Sequence, residues 1–343
     1  MTARVLRYGI GMAISVAAII ITLSRVDVAD VADAVVSANP GPVLLAVILV
    51  AAEVLVRAVR WQVLMRPMRA LPFPVALGYL CIGYFANSVL PARLGDLTRA
   101  YLAGTAFGVR RTSTFGTILV ERVSDGLLML VVVVLVGSLV PGGGNLVLPA
   151  LTLAAIGVGA LILVVVSLAG VRRSRVASTR GWALIERFLE RLLEGTRALR
   201  QPGWLLAQLG LTVVAFAIAV GALLAVGRSV GLTLSLADGA LVSAGLALSL
   251  ALPAGPAFIG TYELVGLTIL SALGMPAGPA LATIVVHHAV VAIPPALAGI
   301  LAMWLLHVRV ASLPSQGEEA LAVDEGGPKP VITADSAEGG ARR

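Results

Sequence analysis

Long apolar runs, seldom interrupted by charge, recur along the chain at 10–23, 42–59, 114–140, 146–169, 204–226 and 280–306. Each suits a membrane-crossing helix, which needs roughly 20 predominantly apolar residues. The first run follows Arg4 and Arg7 and is extended by Val5 and Leu6. It outlasts a signal-peptide core of about 7–15 residues, and no small-x-small site follows at once. It therefore reads as a retained first helix. Residues 25–39, with Arg25, Asp27, Asp30 and Asp33, read as an acidic outer loop holding a short amphipathic turn or two.

Two further apolar segments do not fit single crossings. Run 42–59 ends in Arg57, Arg60, Arg66 and Arg69, so this end is cytoplasmic; segment 73–109, between that cluster and Arg110 and Arg111, therefore has both ends on the cytoplasmic side. It is broken at Leu90-Pro91-Ala92 and opens again at Gly95. A re-entrant hairpin satisfies the charge rule: half-helix 74–89, a break, half-helix 95–107. Segment 236–274 breaks at Pro253 to Pro256, and the run after it must end inside because Arg309 and a polar tail follow. It reads as a second hairpin, entering from outside. Leu90-Pro91-Ala92 with Gly95-Asp96, and Leu252-Pro253-Ala254 with Gly260 and Glu263, share one plan. The predicted fold is an all-α, polytopic membrane protein with about six full transmembrane helices and two broken-helix hairpins in an inverted repeat. Such repeats place a binding site near the bilayer midplane.

Composition agrees with the pattern: 59% of the 343 residues are hydrophobic and 13% charged, against about 25% charged in soluble domains. The net charge of +7 is not a nucleic-acid signal, because the basic residues, all arginine but Lys329, gather mostly in loops that set topology. The densest such loop, 170–201, also carries Trp182, Ile185, Phe188, Leu189, Leu192 and Leu193 at helical spacing. It reads as an amphipathic helix on the cytoplasmic face, its arginines near anionic headgroups. The expected division is a transmembrane unit over 1–311 and a disordered tail over 312–343, with both termini cytoplasmic in the cell membrane. The single Cys81 excludes an intrachain disulfide and a Cys-cluster metal site. No metal or cofactor is expected.

The chemistry concentrates in 84–126, which holds Arg93, Asp96, Arg99, Glu121, Arg122 and Asp125 among apolar residues. An ionisable group at membrane depth costs at least a few kcal/mol on insertion scales, so it marks function or has a partner close by. Arg93 and Arg99 are the candidates for a phosphate, since guanidinium offers a charged, multi-donor fork. Asn87 can add a neutral hydrogen bond from the other arm of the hairpin. Asp96 and Glu263 lie at matching places in the two hairpins and suit a cationic headgroup or a coupling proton. Simple charge neutralisation is the alternative: Arg122 with Asp125, Glu121 with Arg93 or Arg99, and Glu53 with Arg57 one helical turn away. Tyr262 reads as an interfacial aromatic or a ligand. His287 and His288, in the last run, read as polar packing or a proton relay.

Three groups of residues also carry a family likeness. They are Asn87, Leu90-Pro91, Arg93, Gly95-Asp96 and Arg99; Glu121-Arg122 and Asp125; and Pro253, Pro256, Gly260 and Tyr262-Glu263. In order and spacing they resemble the flippase-like transmembrane region of lysylphosphatidylglycerol synthase, over roughly residues 5–306. That family often has Glu where this chain has Asp96. Full-length synthases add a soluble aminoacyl-transferring domain, which the short tail here does not provide, so the resemblance implies lipid translocation and no aminoacylation. The expected partners are membrane lipids with an anionic or polyprenyl-linked headgroup, in a protein that is a transporter and not an enzyme and can be oligomeric. A non-transporting partner of a lipid or glycan biosynthetic enzyme, or an intramembrane lipid-modifying enzyme, is the competing reading.

Overall fold

Helix starts and stops follow local chemistry. In a computed structural model that describes residues 2–89, 94–141, 144, 190–250 and 254–309, the first helix, α1 (Thr2–Leu23), is followed by α2 (Val28–Val36) at a bend of 90°. Asp27 caps α2 by accepting the Ala29 N–H at 2.8 Å. Asn39 does the same for α3 (Pro40–Met65), where Pro40 stands at a first-turn position whose missing N–H costs nothing. The first broken pair is α4 (Phe73–Val89) and α5 (Gly95–Phe107), the latter ended by Gly108 in the left-handed conformation. Then come α6 (Arg111–Gly137), α7 (Pro202–Ser229), α8 (Leu236–Ser249), a short 3-10 turn (Pro256–Phe258), α9 (Thr261–Ala272) and α10 (Ala277–Leu305). No strand occurs among the described residues.

Both predicted breaks therefore separate two short helices that turn back on one another. Gly83 of α4 lies against Gly95 and Arg99 of α5, and Gly245 of α8 lies against Ile269 of α9. A Cβ on Gly95 would run into the Gly83 carbonyl oxygen, so the arms close only because both positions are glycine.

The helices pack in matched sets. α3 lies along α7 through Ala46, Val50, Ala222, Ala225 and Val226. α4 packs on α10 and α8 packs on α6. Likewise α3–α4 has its counterpart in α7–α8, α5–α6 in α9–α10, α3–α6 in α7–α10, and α3–α10 in α7–α6. Each contact of the α3–α6 unit thus has a partner contact in the α7–α10 unit.

Among the described residues, three helices are long and apolar enough to cross a membrane: α3, α7 and α10, or four if the bent α1–α2 pair counts as one span. That is fewer than the six crossings the hydropathy pattern predicts. α6 has the length, but Glu121, Arg122 and Asp125 interrupt its apolar face. The predicted crossing at 146–169, the break residues 90–93 including Arg93, Pro253, most of the 170–201 loop and the tail from 310 onward lie outside the described residues. The end of that loop docks on protein: Glu194 accepts from Ser113 at 2.8 Å and pairs with Arg110 at 3.2 Å.

A valine at Gly95 should overpack the hairpin and cost about 1–3 kcal/mol. An alanine at Gly126, where a Cβ would meet nothing within 4 Å, should change stability by less than about 0.5 kcal/mol. Thermal unfolding in detergent compares the two, and equal midpoints would contradict the close approach.

Candidate functional site

Three helices of the first unit bring four arginines and four carboxylates into one cluster. α3 supplies Glu53, Arg57 and Arg60; α5 supplies Asp96 and Arg99; α6 supplies Glu121, Arg122 and Asp125. Arg60 bridges to Asp125 at 2.5 Å and faces Glu121 at 3.5 Å. Arg99 donates to Glu121 at 2.9 Å and lies near Asp96 at 3.4 Å, its guanidinium over the Trp61 ring at 5.0 Å. Arg122 grips Asp96 with both prongs, Nε at 2.9 Å and Nη2 at 2.8 Å. Arg57 joins Glu53 at 2.7 Å to Asp125 at 3.3 Å. The charges cancel. That matters because a buried ion left unpaired costs several kcal/mol.

Exposure sorts the cluster into an inner and an outer part. Arg60, Arg99 and Glu121 are almost fully buried, at 2%, 2% and 4% side-chain exposure. Arg122, at 38%, is the most open member of the cluster. Its Nη1 takes no part in the Asp96 pair.

The open edge faces a cavity of about 250 Å³. Glu53, Arg57, Tyr84, Asn87, Ser88 and Arg122 border it from the first unit; Ser243, Ala257, Phe258, Tyr262, His287 and His288 border it from the second. Aliphatic side chains such as Val50, Leu246, Leu250 and Val291 complete the wall. Two polar atoms on the second-unit wall, Ser243 Oγ and His287 Nε2, are buried without a hydrogen-bond partner.

The second unit carries its own polar set. Glu263 Oε2 accepts the Gly260 N–H at 2.6 Å, capping α9, and Oε1 meets His288 Nδ1 at 2.5 Å. His288 Nε2 lies 2.9 Å from the Ala257 carbonyl oxygen. Tyr262 OH and His287 Nδ1 are 2.9 Å apart, and the Tyr262 ring stacks on His288 with centroids at 4.3 Å. Gly260 has φ +89° and lies against Ser15 of α1, so only glycine fits there.

The predicted site residues divide accordingly. Asn87, Arg122 and Tyr262 border the cavity; Asp96, Arg99, Glu121, Asp125 and Glu263 stand behind that wall; Arg93 lies outside the described residues. Asn87 uses its Oδ1 to cap α5, accepting the Gly95 N–H at 2.8 Å. The local pairing of Arg122 with Asp125 does not form, because Asp96 on α5 takes the Arg122 fork and Arg57 and Arg60 take Asp125. Arg57 and Arg60, in the last third of α3, are its basic contribution to the cluster, pairing with Glu53, Glu121 and Asp125.

A bundle of broken apolar helices around a neutralised charge cluster and a cavity of mixed polar and aliphatic lining is a multi-pass membrane protein. A family profile for the lysylphosphatidylglycerol synthase transmembrane region matches residues 9–299, and the chain belongs to that family. A comparison with curated proteins finds no significant match.

Replacing Arg99 or Glu121 singly with Met should cost about 3–5 kcal/mol by stranding the other charge. The double replacement should cost less than the sum by about 0.5–3 kcal/mol. Additive losses in a thermal-stability cycle would mean the two residues do not act as a pair.

Proposed function

We propose that this protein moves an amphiphile with a charged, phosphate-containing headgroup across the cell membrane, with the headgroup passing through the cavity between the two hairpins. The observation that carries this reading is the cavity itself. Its lining brings together Arg122 and Arg57 from the first unit with Ser243 and His287 from the second, whose Oγ and Nε2 lack hydrogen-bond partners, and adds aliphatic side chains such as Val50, Leu246 and Val291. A phosphate gains charged hydrogen bonds from the guanidinium, while acyl chains can trail between helices.

The matched packing of α3–α6 and α7–α10 supports an inverted repeat, in which one unit rocks against the other and opens the cavity to each side in turn. The long α3–α7 contact, where Ala46, Ala222 and Ala225 let the helices approach closely, suits a hinge line for such a motion. In this reading both termini are cytoplasmic and the lipid is moved without covalent change. Family membership is consistent with a role in lipid metabolism or transport.

The test is flipping of acyl-labelled phosphatidylglycerol and phosphatidylethanolamine in proteoliposomes. Arg122→Ala should slow it about 10- to 100-fold, the worth of a hydrogen bond to a charged group at ~1.5–3 kcal/mol. Arg122→Lys, which keeps the charge and loses the fork, should fall between. An unchanged rate in folded Arg122→Ala would remove the headgroup from this cavity.

A further inference from the structure

The two units end in the same kind of pair. In each, an acid in the first turn of the second half-helix meets a base on the following helix: Asp96 with Arg122, Glu263 with His288. The separations, 26 and 25 residues, nearly coincide. Both bases border the cavity. Arginine keeps its proton under all protein conditions, whereas imidazole exchanges one near neutral pH.

The contacts of the second pair set its proton count. The Ala257 carbonyl oxygen can only accept, so the 2.9 Å contact requires a proton on His288 Nε2. The 2.5 Å contact between Nδ1 and Glu263 Oε1 requires another, on either atom. Imidazolium beside carboxylate and imidazole beside carboxylic acid both meet these needs. A neutral imidazole beside a carboxylate is one proton short. Its single N–H would turn to the carboxylate and set a lone pair against the Ala257 oxygen.

That oxygen belongs to the second break. Ala257 and Phe258 hold φ of +54° and +60°, a region few non-glycine residues occupy, and both border the cavity. Backbone of this kind persists only where its surroundings fix it. The described contacts that fix it include His288 at Ala257 and Ser15 Oγ, which accepts the Gly255 N–H at 2.9 Å.

We propose that Glu263 and His288 form a binding site for one exchangeable proton, and that its occupancy locks the second break against the cavity. Loading adds a proton from the aqueous phase to a carboxylate–imidazole pair; release returns it and frees the Ala257 carbonyl. The transport reading is needed only for the consequence that a proton gradient drives lipid movement.

Other charged and titratable groups surround this pair at several distances. Tyr262 and His287 adjoin it on α9 and α10, and Glu53, Arg57, Tyr84 and Arg122 face it across the cavity from α3, α4 and α6. Asp30 of α2 lies by Gly278, ten residues and about 15 Å along α10 from His288. Asp238 caps the far end of α8 with Ser235, Arg228 ends α7, and Arg25, beyond α1, donates to Thr268.

Ring-labelled 15N-histidine NMR in nanodiscs, assigned with His287→Gln and His288→Gln, reads the proton directly, with the Glu263 carboxyl stretch in the infrared assigned by Glu263→Gln. At pH 7 the expected signature is an imidazolium or a protonated carboxyl. It should vanish in one step on alkalinisation, together with faster amide hydrogen exchange over 254–261. Neutral imidazole beside ionised carboxylate at pH 7, or exchange indifferent to that step, would overturn the proposal. In proteoliposomes an imposed pH gradient should change wild-type flipping by up to about tenfold per unit, the limit for one proton. Glu263→Gln should flip at a rate the gradient does not alter. Gradient-independent wild-type flipping would overturn the coupling and leave the transport reading standing. If no lipid flips, the transport reading fails, while NMR and exchange still decide the proton site.

Discussion

Pairing of buried charge is the constraint on which the rest of the first unit depends. Arg60, Arg99 and Glu121 are nearly sealed from solvent, and a charge in such a place survives only with an opposite charge in hydrogen-bonding reach. Because their partners come from α3, α5 and α6, satisfying them fixes three helices that apolar packing alone would leave free to slide. Lipid-facing helices have little hydrophobic drive to associate, so small-residue contacts and polar links decide their register. Gly83 and Gly95 bring α4 and α5 close enough for Asn87 to cap α5, which sets Asp96 where Arg122 can grip it.

The second unit solves a similar geometric problem with different chemistry. Its acid caps α9 and meets a histidine, and the histidine reaches back to the break. The first unit thus pairs carboxylates with arginines, and the second pairs a carboxylate with a histidine. The cavity between the two is bordered on one side by Arg57 and Arg122 of the arginine–carboxylate cluster and on the other by His288 of the carboxylate–histidine pair.

Much of this fold was legible in local pattern. The half-helices expected at 74–89 and 95–107 appear as Phe73–Val89 and Gly95–Phe107, because proline and glycine end helices through their own backbone chemistry. The partner choices were not legible. Arg122 and Asp125 are three apart on one helix, a spacing that suggests a pair, but Asp96 offers a bidentate contact that only the folded hairpin creates. Arg57 and Arg60 looked like a cytoplasmic basic cluster because 42–59 seemed to end there. α3 continues to Met65, which carries both alongside α6. Nothing local distinguishes an arginine that ends a crossing from one buried beside a distant carboxylate. The link from Glu263 to His288 was equally hidden: Glu263 was matched to Asp96 by motif, while its base lies on the next helix.

An experimental structure in nanodiscs made from phospholipid tests the central claim most directly. The expected result is a lipid headgroup in the cavity between the hairpins, with phosphate oxygens in hydrogen-bond reach of Arg122 and the acyl chains leaving between helices. A cavity filled only by water or by acyl chain, with Arg122 still closed on Asp96 and no phosphate near it, would contradict it.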